Sequence, residues 1–316
     1  MTDPNYRGVR VAVLGASGFI GRWVARELSD AGAQTYQVVR NRAGIQGEVI
    51  EADLLDTAAL INLYRRIRPS ITFNLAGYGV DISERDEALA YRINAELPRA
   101  ICEAASAVRD PSWRGQHVIH TGSAAEYGQA GGTLREDDPA LPTSLYGKSK
   151  LAGTQALTES CRTLGLPAIT ARLFTVYGPG EHAGRLLPSL IETSRTDRPL
   201  DLTEGLPRRD FTYVEDVADG LLRLGLIEGG IEPVVNLATG RLTEVREFVK
   251  TAAGILGIPL ANLRFGAIPA RPGEMAHDPV ALERLQRLLA WTPSVTIAEG
   301  IRKSLEISLL GRTGLT

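Results

Sequence analysis

The chain carries only two cysteines, Cys102 and Cys161. That is too few for a disulfide scaffold, and their positions match no metal-ligand spacing, so a reducing compartment is expected. Histidine is equally scarce, with four residues in the chain. Neither His182 nor His277 has a partner at ligand spacing, so no metal is assigned. No apolar run reaches the roughly 18 residues needed to span a bilayer, and the polar start MTDPNYRG lacks the apolar core of a secretory signal. Positive charge is not in excess: the formal net charge is −2, and the basic runs Arg65-Arg66 and Arg208-Arg209 are short. Nucleic-acid and membrane partners are therefore not expected. Aromatics form no stripe on which bases would stack, and there is no internal repeat or low-complexity segment. A cytoplasmic protein is the expectation.

What remains is ordinary globular composition, 44% hydrophobic and 23% charged, over 316 residues. That length suits one large α/β domain or two modest ones. Residues 9–14, VRVAVL, read as a buried first strand. They run into Gly15-Ala16-Ser17-Gly18-Phe19-Ile20-Gly21, and RWVARELSDAG then reads as a helix. A strand, a glycine-rich turn and a helix in that order suit a dinucleotide pyrophosphate. Glycines let the backbone come close, and the helix start offers free N–H groups and partial positive charge. Gly15, Ser17, Gly18, Phe19, Ile20 and Gly21 are accordingly cofactor candidates, at G-x-x-G-x-x-G rather than the commoner G-x-G-x-x-G spacing.

A second strand is expected over 34–39. Where a carboxylate would meet an adenosine ribose, the chain has Arg40-Asn41-Arg42. Two guanidinium groups suit a 2′-phosphate, so Arg40 and Arg42 favour NADP(H), with NAD(H) as the other possibility. A short third strand over 48–52 leads to Asp53 and Leu54, where Asp53 either meets the adenine or caps the next helix. A fourth strand, 70–75, ends at the cofactor candidate Leu75, and Ala76 and Gly77 follow, small enough to leave room for a cofactor. A long helix follows over 92–107, then a fifth strand over 116–120. Ser123 lies just beyond that strand, where a hydroxyl could donate to a developing oxyanion, or simply cap a turn.

Tyr146 and Lys150 lie four apart in the helix-compatible run SLYGKSKLAGTQALTESCRTLG, so they share a face. A nearby ammonium should pull the phenol below its ordinary pKa of about 10 and make it a proton donor and acceptor near neutrality.

Seven ordered motifs, GASGFIG, NLAG, YGKSK, RLFTVYGPG, RRDFTYVEDV, RPGE and LLAWTPSVTIAEGI, resemble the extended short-chain dehydrogenase/reductase family in its nucleotide-sugar-modifying branch. The resemblance covers nearly the whole chain. It implies a catalytic set of Ser123, Tyr146 and Lys150, in which Tyr146 moves a proton at a sugar oxygen, Lys150 binds the nicotinamide ribose and Ser123 shares the substrate oxygen. It also implies a homodimer through helices over 146–164 and 92–107. Two positions depart from the family. Its dehydrating members carry Asp-Glu or Glu just after the catalytic Ser/Thr, where this chain has Ala124 and Ala125. Thr175 replaces a usual Asn that commonly touches substrate.

The expected fold is α/β, a doubly wound parallel Rossmann sheet with a smaller C-terminal substrate-binding domain. Residues 1–175, with 209–239 returning, would form the dinucleotide-binding domain, and 176–208 with 240–316 the substrate-binding domain. Arg185, Arg209 and Arg271 are the guanidiniums expected on a substrate diphosphate, beside Ser123, Tyr146 and Thr175. The expected activity is NADP(H)-dependent reduction of a nucleotide-linked 4-keto-6-deoxy sugar. The alternatives are a nucleotide-sugar 4-epimerase with tightly bound NAD, and a catalytically silent dinucleotide-sensing protein.

Overall fold

The computed structural model describes residues 4–42, 45–81, 83–196, 198–230, 232–270 and 275–309. Twelve strands are defined among them: β1 (Arg10–Leu14), β2 (Gln34–Val39), β3 (Glu48–Glu51), β4 (Ile71–Asn74), β5 (Val118–Ser123), β6 (Ala168–Leu173), β7 (Thr175–Tyr177), β8 (Leu200–Leu202), β9 (Arg208–Tyr213), β10 (Val234–Leu237), β11 (Leu242–Glu244) and β12 (Leu263–Phe265). The α-helices are α1 (Phe19–Asp30), α2 (Thr57–Ile67), α3 (Glu87–Tyr91), α4 (Leu97–Ala107), α5 (Leu145–Leu164), α6 (Leu186–Thr196), α7 (Val214–Gly225), α8 (Val245–Leu256), α9 (Glu283–Leu289) and α10 (Ile297–Leu309).

Seven strands make one sheet in the order β10-β6-β5-β4-β1-β2-β3, every pair parallel. β1 is an interior strand between β4 and β2 and is apolar on both sides, as a strand covered by helices on both faces must be. Its Val11 and Val13 pack in one core with Trp23, Val24 and Leu28 of α1 and Leu221 and Leu224 of α7. Its Ala12 and Leu14 pack in another with Leu60 and Tyr64 of α2, Ile101 of α4 and Leu157 of α5. The alternation along five residues thus builds the two layers of a doubly wound α/β fold. The strand order reverses between β1 and β4, and a crevice for ligands opens at the C-terminal ends there.

Two smaller sheets, β11-β9-β7 and β12-β8, stand apart from the main one. The segment 209–239 therefore divides: β10 joins the main sheet beside β6, and α7 packs in the α1 core, while β9 pairs with β7 and β11. Two carboxylates of the RRDFTYVEDV stretch hold this region together. Asp210 accepts from the Thr239 amide and hydroxyl and from the Arg241 amide. Asp216 takes the amides of Ser294 and Val295, each at 2.8 Å, and so anchors the segment before α10.

Two elements differ from the sequence expectation. β5 extends to Ser123, which makes that residue the last of a buried strand. The helix expected over 92–107 opens as a π-turn, Arg92–Glu96, before α4 begins. Within that turn Asn94 is fully buried, and its side-chain amide is bonded to other segments. Its Oδ1 accepts from the Tyr78 amide, and its Nδ2 donates to the Tyr78 carbonyl and the Ser149 hydroxyl. A methyl at Gly153 would collide with the Asn94 carbonyl, so α5 lies directly against the turn.

Candidate active site

The turn between β1 and α1 fits a dinucleotide pyrophosphate. Gly15 has φ +78°, and a Cβ there would sit 2.8 Å from the Ala76 amide nitrogen, so only glycine lets the β1 and β4 ends approach. Gly18 caps α1 with no side chain to bond its first amides, which leaves those donors for an anion. A methyl at Gly21 would strike the Gly15 carbonyl. Leu75 and Ala76 are half-buried at the end of β4, and Gly77 is exposed. At the end of β2, Arg40 and Arg42 are exposed. Asp53 accepts from the Leu55 amide at 2.9 Å, and the helix cap that was one of its two possible roles falls to Asp56, which accepts from Ala58 and Ala59. Leu54 packs against the α2 core.

At the ends of β5 and β6 the chain assembles Ser123, Tyr146 and Lys150. Ser144 caps α5 by accepting from the Gly147 amide, which sets the register of the helix against the sheet. The Ser123 hydroxyl lies close enough to the Tyr146 phenol to pull its pKa down, and its Oγ accepts from the Ala125 amide at 3.1 Å. Ser123 caps the short 3₁₀ turn Ala124–Glu126, as the turn reading of this serine anticipated. Gly79 closes over the ring: a Cβ there would sit 3.2 Å from Cδ2 of Tyr146.

The expected acidification of Tyr146 is opposed by its burial. Burial raises its pKa above 10, countered by the Ser123 hydroxyl, and the charges that reach it belong to Glu126, Arg185 and Glu84. Helical spacing alone was the basis of the expectation, but the Lys150 ammonium turns to the sheet and donates to the Thr121 carbonyl of β5. Burial pushes Lys150 down to about 8 against the pull of Glu126.

Glu126 is fully buried. Its Oε1 accepts from the Ser123 amide at 2.8 Å, and its Oε2 from Thr154 Oγ1 at 3.0 Å and Arg172 Nε at 2.9 Å. The Arg172 guanidinium also lies over the Tyr127 ring, 4.5 Å from its centroid. Three donors thereby hold this carboxylate below the Ser123 turn. Neither Ala124 nor Ala125 supplies a proton-transfer group in its place.

A cavity of about 260 Å³ opens beside Ser123, lined by Ala124, Ala125, Phe174, Thr175, Arg209 and His277 among others. It brings Thr175 and Arg209 to the Ser123 end of the site. The Arg209 guanidinium donates to the Met275 carbonyl at 3.0 Å, so it ties the strand β9 to the segment after 274. Arg185 lies at another edge, where its charge reaches both Tyr146 and Asp81. Arg271 falls outside the described residues. His277 and Met275 were not singled out from the sequence for this cavity; no spacing marks them, since they arrive on a separate segment. Among the described residues no three His, Cys, Asp or Glu side chains cluster as a metal site, and no helix is long and apolar enough to cross a membrane.

A family profile described as "NAD dependent epimerase/dehydratase family" matches residues 11–238. The dTDP-6-deoxy-L-talose 4-dehydrogenase (NAD(P)(+)) of Kitasatospora kifunensis is 31% identical over 317 residues, covering 96% of each chain. The UDP-glucose 4-epimerase of Azospirillum brasilense is 27% identical, covering 96% of this chain and 93% of its own. Among solved structures, MoeE5 in complex with UDP-glucuronic acid and NAD matches with TM-score 0.82 and 28% identity, over 95% of this chain and 99% of its own.

Proposed function

The chain belongs to the NAD-dependent epimerase/dehydratase family, extended short-chain dehydrogenases/reductases that modify nucleotide sugars, and from that premise we propose that it reduces a nucleotide-linked 4-keto-6-deoxy sugar to the 4-hydroxy sugar. The observation that carries this reading is the placing of the Ser123 hydroxyl near the Tyr146 phenol at a cavity lined by Ser123, Ala124 and Ala125. Oxidation and reduction at a carbon bearing oxygen need one proton-transfer group and a donor to the oxygen, and both are here. Loss of water needs a further acid and base. Of the carboxyls here, Glu126 is bound to Arg172, Thr154 and the Ser123 amide, and Asp210, which lines the cavity, is bound to Thr239 and the Arg241 amide.

A bound nicotinamide dinucleotide supplies the hydride. Gly15, Ser17, Gly18, Phe19, Ile20 and Gly21 would cradle its pyrophosphate, with Leu75, Ala76 and Gly77 beside it and Asp53 and Leu54 toward the adenine. Lys150 would hold its ribose hydroxyls, and Arg40 and Arg42 the 2′-phosphate of NADP(H). In the reductive direction the Tyr146 phenol gives its proton to the sugar O4 while Ser123 donates to the same oxygen. Approach of the Lys150 ammonium to the cofactor ribose would bring positive charge to the phenol and lower its pKa. Arg185, Arg209 and Arg271 would receive the substrate diphosphate, and Thr175 the sugar. The similarity to a talose 4-dehydrogenase supports C4 chemistry on a deoxy sugar. The similarity to a 4-epimerase supports the second reading, in which NAD stays bound and the same three residues act twice. A homodimer through α4 and α5 belongs to the same proposal.

The test mixes the protein with NADPH or NADH and dTDP-, UDP-, GDP- and CDP-linked 4-keto-6-deoxy sugars while nicotinamide absorbance is followed. Stoichiometric loss with one ketone is expected. No loss with any ketone, together with interconversion of UDP-hexoses at C4, would replace the reductase by the epimerase.

A further inference from the structure

Between β7 and α6 the chain places a carboxylate that the chemistry above does not use. Glu181 is 93% buried by its side chain's 7% exposure. Its Oε1 lies 3.4 Å from Arg185 Nε, longer than the 2.7–2.9 Å of a strong charged bond. Its Oε2 is buried with no hydrogen-bond partner among the described residues. The segment is held at the back, where the Trp23 indole donates to the Pro179 carbonyl at 3.0 Å, and Glu181 donates its own amide to Gly178. Arg185 is the half-exposed member of the pair, and its charge extends to Tyr146 and Asp81.

A buried carboxylate with one orphaned oxygen and one loose cation is expensive to keep charged. Burial, opposed by Arg185, pushes the Glu181 carboxyl up to about 7. The other charged or titratable groups around this edge are Asp81, with His182 and Arg185 acting on it, and Glu84, Glu126 and Tyr146. If Arg185 turns to a phosphate, Glu181 loses the charge that holds it ionised. It then binds a proton from solvent.

We propose that Glu181 is a positioning residue that holds Arg185 at the mouth of the site and releases it to the diphosphate of a nucleotide sugar by taking up one proton as that ligand binds. This rests on the nucleotide-sugar reading of the site and names how its diphosphate is received. The sign follows. Below about pH 7 Glu181 is already protonated, Arg185 is available and binding is tightest. Above it, each bound ligand draws a proton, and the apparent affinity falls toward tenfold per pH unit.

The test is calorimetric titration of the NAD-supplied protein with UDP-glucose, dTDP-glucose and GDP-mannose, whose diphosphate esters do not titrate in this range, at pH 6, 7 and 8. Each titration is run in two buffers of different ionisation enthalpy. Wild type should take up about half a proton at pH 7 and approach one at pH 8. Glu181→Gln should take up none and bind with the same affinity at all three pH values, near that of wild type at pH 6. His182→Gln should keep the wild-type uptake. Equal uptake in Glu181→Gln, or none in wild type, overturns the proposal. Failure of wild type to bind any of the three esters overturns the nucleotide-sugar reading itself.

Discussion

Glu126 and Arg172 meet in a buried ion pair, Oε2 to Nε 2.9 Å, with side-chain exposures of 0% and 4%. Removing one partner leaves an uncompensated charge inside, which costs about 3–5 kcal/mol, whereas replacing both by apolar groups is often close to neutral. Arg172→Met should therefore lower stability by about that amount in chemical denaturation. The double variant Glu126→Leu/Arg172→Met should recover much of the loss while kcat stays low, because the Ser123 amide has lost its acceptor. Full additivity of the two single losses would show that the pair does not act as a unit.

Gly15→Ala combines a backbone at φ +78° with a Cβ only 2.8 Å from the Ala76 nitrogen. The left-handed conformation costs about 1–3 kcal/mol, and the clash pushes apart the ends of β1 and β4. Lower thermal stability and loss of dinucleotide binding, read by fluorescence titration, are expected together. Normal NAD affinity in this variant would remove the glycine turn from the cofactor site.

Arg40→Ala and Arg42→Ala test the cofactor preference. A charge-assisted bond to phosphate contributes about 1.5–3 kcal/mol, so the Kd for NADPH should rise more than tenfold in the double variant, with that for NADH unchanged. Equal affinities for NADPH and NADH in wild type would leave these arginines as solvated surface.

Tyr146→Phe should lower kcat by a factor of about 10²–10⁴, the usual contribution of a positioned proton donor, without lowering dinucleotide affinity. Measured turnover equal to wild type would exclude the phenol from the reaction.

Lys150 carries its own pH signature. Its folded pKa, about 8, lies below the ordinary 10.5, so below pH 8 the buried ammonium is charged in both states and its full burial penalty is present. As pH rises from 8 to 10.5 the folded chain loses that proton first, and the penalty is relieved. Lys150→Met should consequently raise the melting temperature at pH 7 while abolishing activity, and the advantage should shrink toward pH 10. A variant less stable than wild type at pH 7 would contradict this sign.

Most of the parallel sheet was legible because its strands are short and apolar, although β6 was not read as a strand from the sequence. β2 was located to the residue, and the β1–α1 turn carries its glycines in sequence. The departures arise where side chains compete with local pattern. In the π-turn, the Asn94 side chain is bonded to Tyr78 and Ser149, partners far away in the chain. The ammonium of Lys150 goes to a β5 carbonyl, which helical spacing does not reveal. The third element of the site, with Met275 and His277, comes from a segment whose place is set by tertiary packing. Glu181 has no motif at all; only burial makes its carboxyl unusual.

The indole bond from Trp23 to the Pro179 carbonyl makes that ring an optical gauge. The chain has three tryptophans, and Trp23 alone joins α1 to the segment that carries Glu181 and Arg185. With Trp113 and Trp291 replaced by Phe, the emission of the remaining 1%-exposed ring reports shifts of that segment directly. Stopped-flow recording would then time substrate arrival separately from turnover, in a chain that needs no attached dye.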